Sequence, residues 1–199
     1  NYYNAVESEF KDGTSDLMHL VEEGLMASLT DGIDDSTTYA GVNRSNYNLS
    51  AAMTTLSSEA LSTYHLEEAW EDTEVDPRSV DKSDFMIVSA PEQMTAYGRS
   101  ASDLGGINVN KDLGSGPLDT GRMQAGAAFN TAPWFKIATL TNTLVLGFRK
   151  SHILVEEKRP INIRPMGIVD DDDEYQLSWR GELVVINPYH TFRIEGLTT

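Results

Sequence analysis

A mixed α+β fold is predicted by three features of this sequence. Up to Trp70 the apolar residues recur at three- and four-residue steps, which is the period of amphipathic helices. A continuous apolar run, Phe85-Met86-Ile87-Val88, then leads directly into a helix-start signal. Beyond Pro133 almost every segment is rich in β-branched and aromatic residues and is bounded by turn formers.

The first helix is carried by Tyr3, Val6, Phe10, Leu17, Leu20, Val21, Leu25 and Met26, which fall on one stripe of a helix running to about Leu29. Gly13 interrupts it at a cost of about 1 kcal/mol against alanine, so a bend or break is expected there. From Asp31 to Asn48 the Asp, Gly, Ser, Thr and Asn content reads as an irregular connection. A second helix is expected from Thr54 or Thr55 to Trp70, burying Leu56, Ala60, Leu61, Tyr64 and Trp70, with Asp76-Pro77 closing it. Phe85 to Val88 reads as a buried strand. Ser89 with Glu92 three residues on, and Pro91 between, forms a capping box for a third helix reaching Tyr97.

From Ser100 to Thr131, glycines at 105, 106, 114, 116, 121 and 126 and few large apolar residues read as a long mobile loop. Six strands follow, over Trp134–Leu140, Thr143–Phe148, Ile153–Glu157, Ile161–Ile168, Glu174–Ile186 and Phe192–Leu197. The alternation of Leu177, Trp179, Leu183 and Val185 predicts one face turned in and one turned out. No solenoid repeat is present.

Composition narrows function. The 199 residues suit one sizeable domain, or a domain with a lobe, and they contain no cysteine, so disulfides and thiolate metal sites are excluded. Acidic residues number 31 against 15 basic, for a net charge of -16, and no basic cluster is available to neutralise phosphates. No specific nucleic-acid site is expected. Low lysine and abundant aspartate suit a protein of concentrated salt, pointing to a halophilic source. No stretch approaches the ~20 apolar residues of a membrane-spanning helix. The chain begins at Asn1 without a methionine, which reads as a processed start or a fragment.

The residues offer no reactive centre, so no catalytic, cofactor-binding or metal-binding residue is assigned and no cofactor is expected. His19, His65, His152 and His190 are scattered, without the i, i+4 spacing of a helical zinc site, and each reads as a surface or satisfied core residue. The acidic runs Asp170 to Glu174 and Asp31 to Asp35 supply oxygen ligands at short spacing. They lack the alternating positions and mid-loop glycine of a calcium loop, and read as solvated turns. Gly114-Ser115-Gly116 has neither the spacing nor the strand that a phosphate cradle requires, and no nucleophile elbow occurs. Asn43-Arg44-Ser45 and Asn48-Leu49-Ser50 match the glycosylation pattern, relevant only to an exported protein. The lysines at 11, 82, 111, 136, 150 and 158 read as surface charges.

The order of these elements resembles the major capsid proteins of tailed phages, the Hong Kong 97 fold. The resemblance is carried by the long helix ending in Leu29-Thr30-Asp31-Gly32 and by Phe85-Met86-Ile87-Val88 running into Ser89-Ala90-Pro91-Glu92. It is carried further by the glycine-rich stretch and by the closing segment with Arg180-Gly181-Glu182 and Asn187-Pro188-Tyr189. It implies a peripheral domain with a long spine helix plus strands, and an axial domain. Residues 1–83 would be peripheral helices and connection, 84–148 the axial domain with the glycine-rich loop 100–131, and 149–199 strands returning to the peripheral domain. The family's extended arm and long β-hairpin precede its spine helix. Either such a part lies outside residues 1–199 or the first helix has another counterpart.

The resemblance further implies a non-enzymatic shell protein whose partner is itself. Copies would ring into hexamers and pentamers of an icosahedral capsid enclosing DNA, with other capsid or decoration proteins as further candidate partners. Its location would be the virion. The loop Gly105 to Gly126 and the exposed parts of the first helix would be assembly surfaces. Two alternatives stay open: an encapsulin-like nanocompartment shell, and an exported acidic cation-binding domain of a halophile.

Overall fold

The computed structural model describes residues 2–33, 38–39, 41–44, 52–73, 84–103, 127–129, 132–169 and 172–198. Its first element, α1 (Tyr2–Gly32), is one uninterrupted helix. The expected break at Gly13 does not occur. A Cβ there would lie 3.8 Å from Leu177 Cδ1, so the helix passes Gly13 while packed on a strand, and that support outweighs the propensity cost. Thr14, Ser28 and Thr30 return their hydroxyls to carbonyls four residues back, at 2.7, 2.9 and 2.9 Å, and so remain compatible with helix.

Two short strands, β1 (Thr38–Tyr39) and β2 (Val42–Asn43), pair antiparallel within the segment expected to be irregular. The next element corrects the sequence reading: Ala52–Ala60 is a strand, β3, and the second helix α2 is confined to Thr63–Asp72. Ser62 caps α2, its hydroxyl accepting from the His65 amide while His65 Nδ1 accepts from the Ser62 amide. A helix from Thr54 would have buried Ala60 and Tyr64, but both are exposed, whereas Leu61, Leu66 and Trp70 are buried. Tertiary pairing decides the outcome, because β3 lies parallel to the last strand and gains a full ladder from it.

The strand β4 (Phe85–Ser89) and the helix α3 (Pro91–Asp103) match the expected unit, with proline at the first helical position. Two details differ. Ser89 does not cap: its buried hydroxyl accepts from Trp134 Nε1 at 2.8 Å and donates to the Ala90 carbonyl at 3.0 Å. Gly98 does not end the helix, which continues to Asp103. The remaining strands are β5 (Ala127–Phe129), β6 (Ala132–Lys136), β7 (Val145–Arg149), β8 (Ile153–Val169), β9 (Asp172–Val185) and β10 (Phe192–Thr198). The two strands expected over Ile153–Glu157 and Ile161–Ile168 are one long strand with register irregularities between Glu157 and Asn162. Most of the expected glycine-rich loop lies outside the described residues.

A six-stranded sheet, in the order β3-β10-β7-β4-β6-β5, forms the centre. It draws strands from all three sequence divisions, and the closing segment itself divides: β8 and β9 form a separate two-stranded ribbon, while β10 returns into the sheet between β3 and β7. Alternation in β4 explains why its run is continuously apolar. Phe85 and Ile87 join a core under α2 and α3 with Trp70, Tyr97, Trp134 and Phe192, and Val88 joins a second core on the other face with Leu29, Ile33, Leu146 and Leu183. Two glycines are fixed by this packing. Gly147 lets the Phe192 ring lie flat on β7, and Gly196, at φ 75°, forms the bulge where β10 passes the Leu56 carbonyl.

Candidate assembly surface

No reactive centre emerges among the described residues, and no group of three or more His, Asp or Glu is placed to hold a metal ion there. His19 is exposed on α1, and His65 completes the α2 cap with Glu59 at 3.6 Å. Only His152 and His190 come together, their ring centroids 5.9 Å apart. Asp31 is exposed at the end of α1, while residues 34–35 and 170–171 of the two acidic runs are outside the described residues. Val169 pairs with Asp172, so the second acidic run stands at the far end of the ribbon. Among the lysines, 11, 136, 150 and 158 are exposed, Lys158 within 3.3 Å of Glu182, and 82 and 111 are not described. Asn43 is exposed, and the rest of both glycosylation patterns, apart from buried Arg44, is not described, nor is Gly114-Ser115-Gly116.

The feature that stands out is the way α1 meets the ribbon. Cross-strand register puts Tyr175, Leu177, Trp179, Leu183 and Val185 on one face of β9, as their alternation predicts. The helix lies along that face. Phe10 meets Tyr175 with ring centroids 5.0 Å apart, Gly13 sits over Leu177, and Gly32 packs against Val185. From Phe10 to Gly32 a helix advances about 33 Å, and from Tyr175 to Val185 a strand advances about 33 Å. Helix and strand therefore stay in contact over their whole shared length. The helix end is fixed by arginines from elsewhere: Arg44 Nη2 donates to the carbonyls of Asp31 at 3.2 Å and Gly32 at 3.0 Å, and Arg193 Nη1 to that of Thr30 at 3.5 Å. Arg44 also lies 4.5 Å over the Tyr39 ring, whose hydroxyl accepts from the Val185 amide at 3.1 Å, tying helix end and ribbon root together.

One helix cannot cover two strands. The helix follows β9, so the apolar residues of β8 are left half uncovered: Ile161 and Ile163 are each 49% exposed, and Val155 and Met166 somewhat more. On the helix, Met18 is 61% and Leu20 63% exposed, so Leu20 is not part of the buried stripe that its spacing suggested. Between helix and ribbon runs an open groove of about 950 Å³, floored by Phe10, Met18, Val21, Leu25, Ile161 and Trp179 and edged by Glu7, Lys11, His19 and Glu22. Trp179 is held in it by donation from Nε1 to Glu157 Oε1 at 2.8 Å. A monomer rarely leaves such a row of apolar side chains on a long, regular surface unless another surface covers it. The sequence reading expected assembly surfaces on the exposed parts of the first helix and on the loop Gly105 to Gly126; the loop lies outside the described residues, and the ribbon was not singled out. The signal was Ile161-Asn162-Ile163-Arg164, where apolar and polar residues alternate along β8.

No protein-family profile and no curated protein matches the sequence. Solved structures do match the fold. A chain of the cyanophage A-1(L) capsid superposes with a TM-score of 0.57 at 12% identity, over 82% of this chain and 56% of that one. A chain of the satellite phage P4 procapsid gives 0.55 at 8% identity, over 98% and 64%. The SrpI encapsulin of Synechococcus elongatus gives 0.51 at 15% identity, over 73% and 52%. The chain thus spans between about half and two thirds of the length of each. At these identities the likeness is one of fold, and the fold is the α+β Hong Kong 97 type with its long N-terminal helix.

Proposed function

We propose that this chain, with the Hong Kong 97 fold as premise, is a structural subunit of a tailed virus. Copies ring into hexamers and pentamers of an icosahedral capsid that encloses DNA, and the chain carries out no catalysis. One observation carries this reading: the α1 and ribbon unit leaves a long apolar row and groove uncovered on a chain whose fold recurs in shell-forming assemblies. The partner is a second copy of the chain, with other capsid or decoration proteins joining the finished shell in the virion. With a net charge of -16, neither an inner surface nor a groove would grip packed nucleic acid, which suits a container rather than a binder. The same charge favours a halophilic host, where screening lets acidic copies approach.

A second reading is favoured by the likeness to the encapsulin of Synechococcus elongatus: a nanocompartment shell built the same way around a protein cargo. Electron microscopy and light scattering of the intact gene product in concentrated salt test the shared claim. Closed shells are expected, and a monomer at every salt and protein concentration would overturn it. Nuclease-protected DNA inside purified particles supports the capsid, and an enzyme recovered as cargo supports the compartment instead.

A further inference from the structure

The ribbon leaves the six-stranded sheet through two single-turn 3-10 helices. Lys150–His152 directly precedes β8, and Pro188–His190 follows β9. These turns are the only covalent routes between sheet and ribbon, and each delivers a histidine to the same place. The His152 and His190 rings lie 5.9 Å apart and tilted by 31°, with His190 buried and His152 half buried. Backbone bonds knit the turns around them: the Ile186 amide donates to the His152 carbonyl at 2.8 Å, and the Thr191 amide to the Pro188 carbonyl at 3.0 Å.

The charges facing the pair are few. Arg149 ends β7 beside it, Lys150 stands exposed on the first turn, and Asp84 opens β4, accepting from the Ser151 amide at 2.9 Å. Hydrogen bonds from Ser151 hold the Asp84 carboxyl below the usual carboxylate range, so it is ionised throughout the histidine range. With both imidazoles neutral, Asp84 offsets one of the two neighbouring cations. Protonating both rings adds two positive charges to a half-buried site that already holds Arg149.

We propose that the His152–His190 pair is a proton-operated joint, closed when neutral and loosening the ribbon from the sheet when the surroundings acidify. The ribbon carries half of the apolar surface assigned above, so the joint would set the angle at which that surface is presented. That consequence rests on the shell reading, but the joint itself does not. Burial, and then the charges of Arg149 and His190, hold the His152 imidazole below the ordinary histidine range, against weaker opposing effects of an Asn187 backbone hydrogen bond and Asp84. The sign follows. A proton binds the opened form more readily, so the closed joint is most stable above the unfolded histidine pKa of about 6.5. It weakens as pH falls from there towards the depressed folded value.

The test is amide hydrogen exchange on the full, unassembled chain at about pH 7.5 and about pH 5, corrected for intrinsic rates, across the range where histidine titrates. Segments 150–155 and 184–192 should lose roughly tenfold protection at the lower pH. The β4 and β7 segments should keep theirs. In His152→Gln and in His190→Gln the response should fall below about twofold, since each removes one of the two coupled titrations. Unchanged protection at the ribbon root, loss in step with β4 and β7, or an intact response in both variants would overturn the joint. Should either variant fail to fold, imidazole titration in the unaltered chain decides: the pair titrating together below the ordinary histidine range supports the joint, and titration within that range refutes it. The measurement uses isolated chains, so its failure would leave the shell reading standing, and absence of shells would leave the joint standing.

Discussion

Arg44 shows how a single side chain can hold a joint between elements. It is buried, it keeps its charge at ordinary pH, and its guanidinium meets two carbonyls that the end of α1 leaves without helical partners. The last turn of α1 contains no basic residue of its own, so the compensation for its negative end arrives from Arg44 and Arg193 through the fold. Arg44→Met keeps the stem but strands both carbonyls, and should lower stability by about 1–3 kcal/mol, the cost of leaving buried acceptors unmet. Urea unfolding checks it: the midpoint should fall with an unchanged slope. Retention of the wild-type midpoint would mean that water serves the helix end equally well. In sequence, Arg44 stood in a polar stretch with no periodicity and could be read only as part of a glycosylation pattern.

At the scale of elements, the length agreement between α1 and β9 accounts for a continuous helix through Gly13. A Cβ at Gly13 would make an ordinary contact with Leu177, and one at Gly24 would meet nothing within 4 Å. Gly13→Ala and Gly24→Ala should therefore each stabilise the chain, by up to about 1 kcal/mol. Thermal melting followed by circular dichroism reads the change, and destabilisation by Gly13→Ala would mean that the helix needs to bend there. The helix, the Phe85–Val88 strand with its proline-started helix, and the terminal strands were legible because each has a strong local period. The stretch Ala52–Ala60 was not. Its Thr54, Thr55 and Leu56 fit either a helix start or a strand, and what selects the strand is β10, well over a hundred residues away in the chain. The capping box was misplaced for a related reason: Ser89 has the right spacing to Glu92, but Trp134 claims its hydroxyl, and the functioning box belongs to Ser62 and His65. The proposed assembly face was half legible: exposed parts of α1 were expected, though Leu20 was not among them, whereas β8 is exposed because one helix covers one strand.

At the scale of the whole molecule, the uncovered row and the net charge of -16 oppose each other. In the proposed assembly, apolar contact would draw copies together and like charge would hold them apart until salt intervenes. Raising salt from about 0.1 M to about 1 M shortens the screening length from about 10 Å to about 3 Å, so assembly should strengthen steeply over that range. Sedimentation velocity follows it, and assembly that weakens with salt would show that ion pairs, not apolar contact, join the copies. Ile163→Lys separates folding from association. The side chain is half exposed, so the unfolding free energy should change by no more than about 0.5 kcal/mol, while assembly at any salt concentration is lost. The place of β10 adds a temporal constraint. Phe192–Thr198 is the last described strand to leave the ribosome, yet it lies between β7 and β3, and β3 has no other partner among the described strands. Ala52–Ala60 therefore has no β10 to pair with until the residues up to Thr198 have been made.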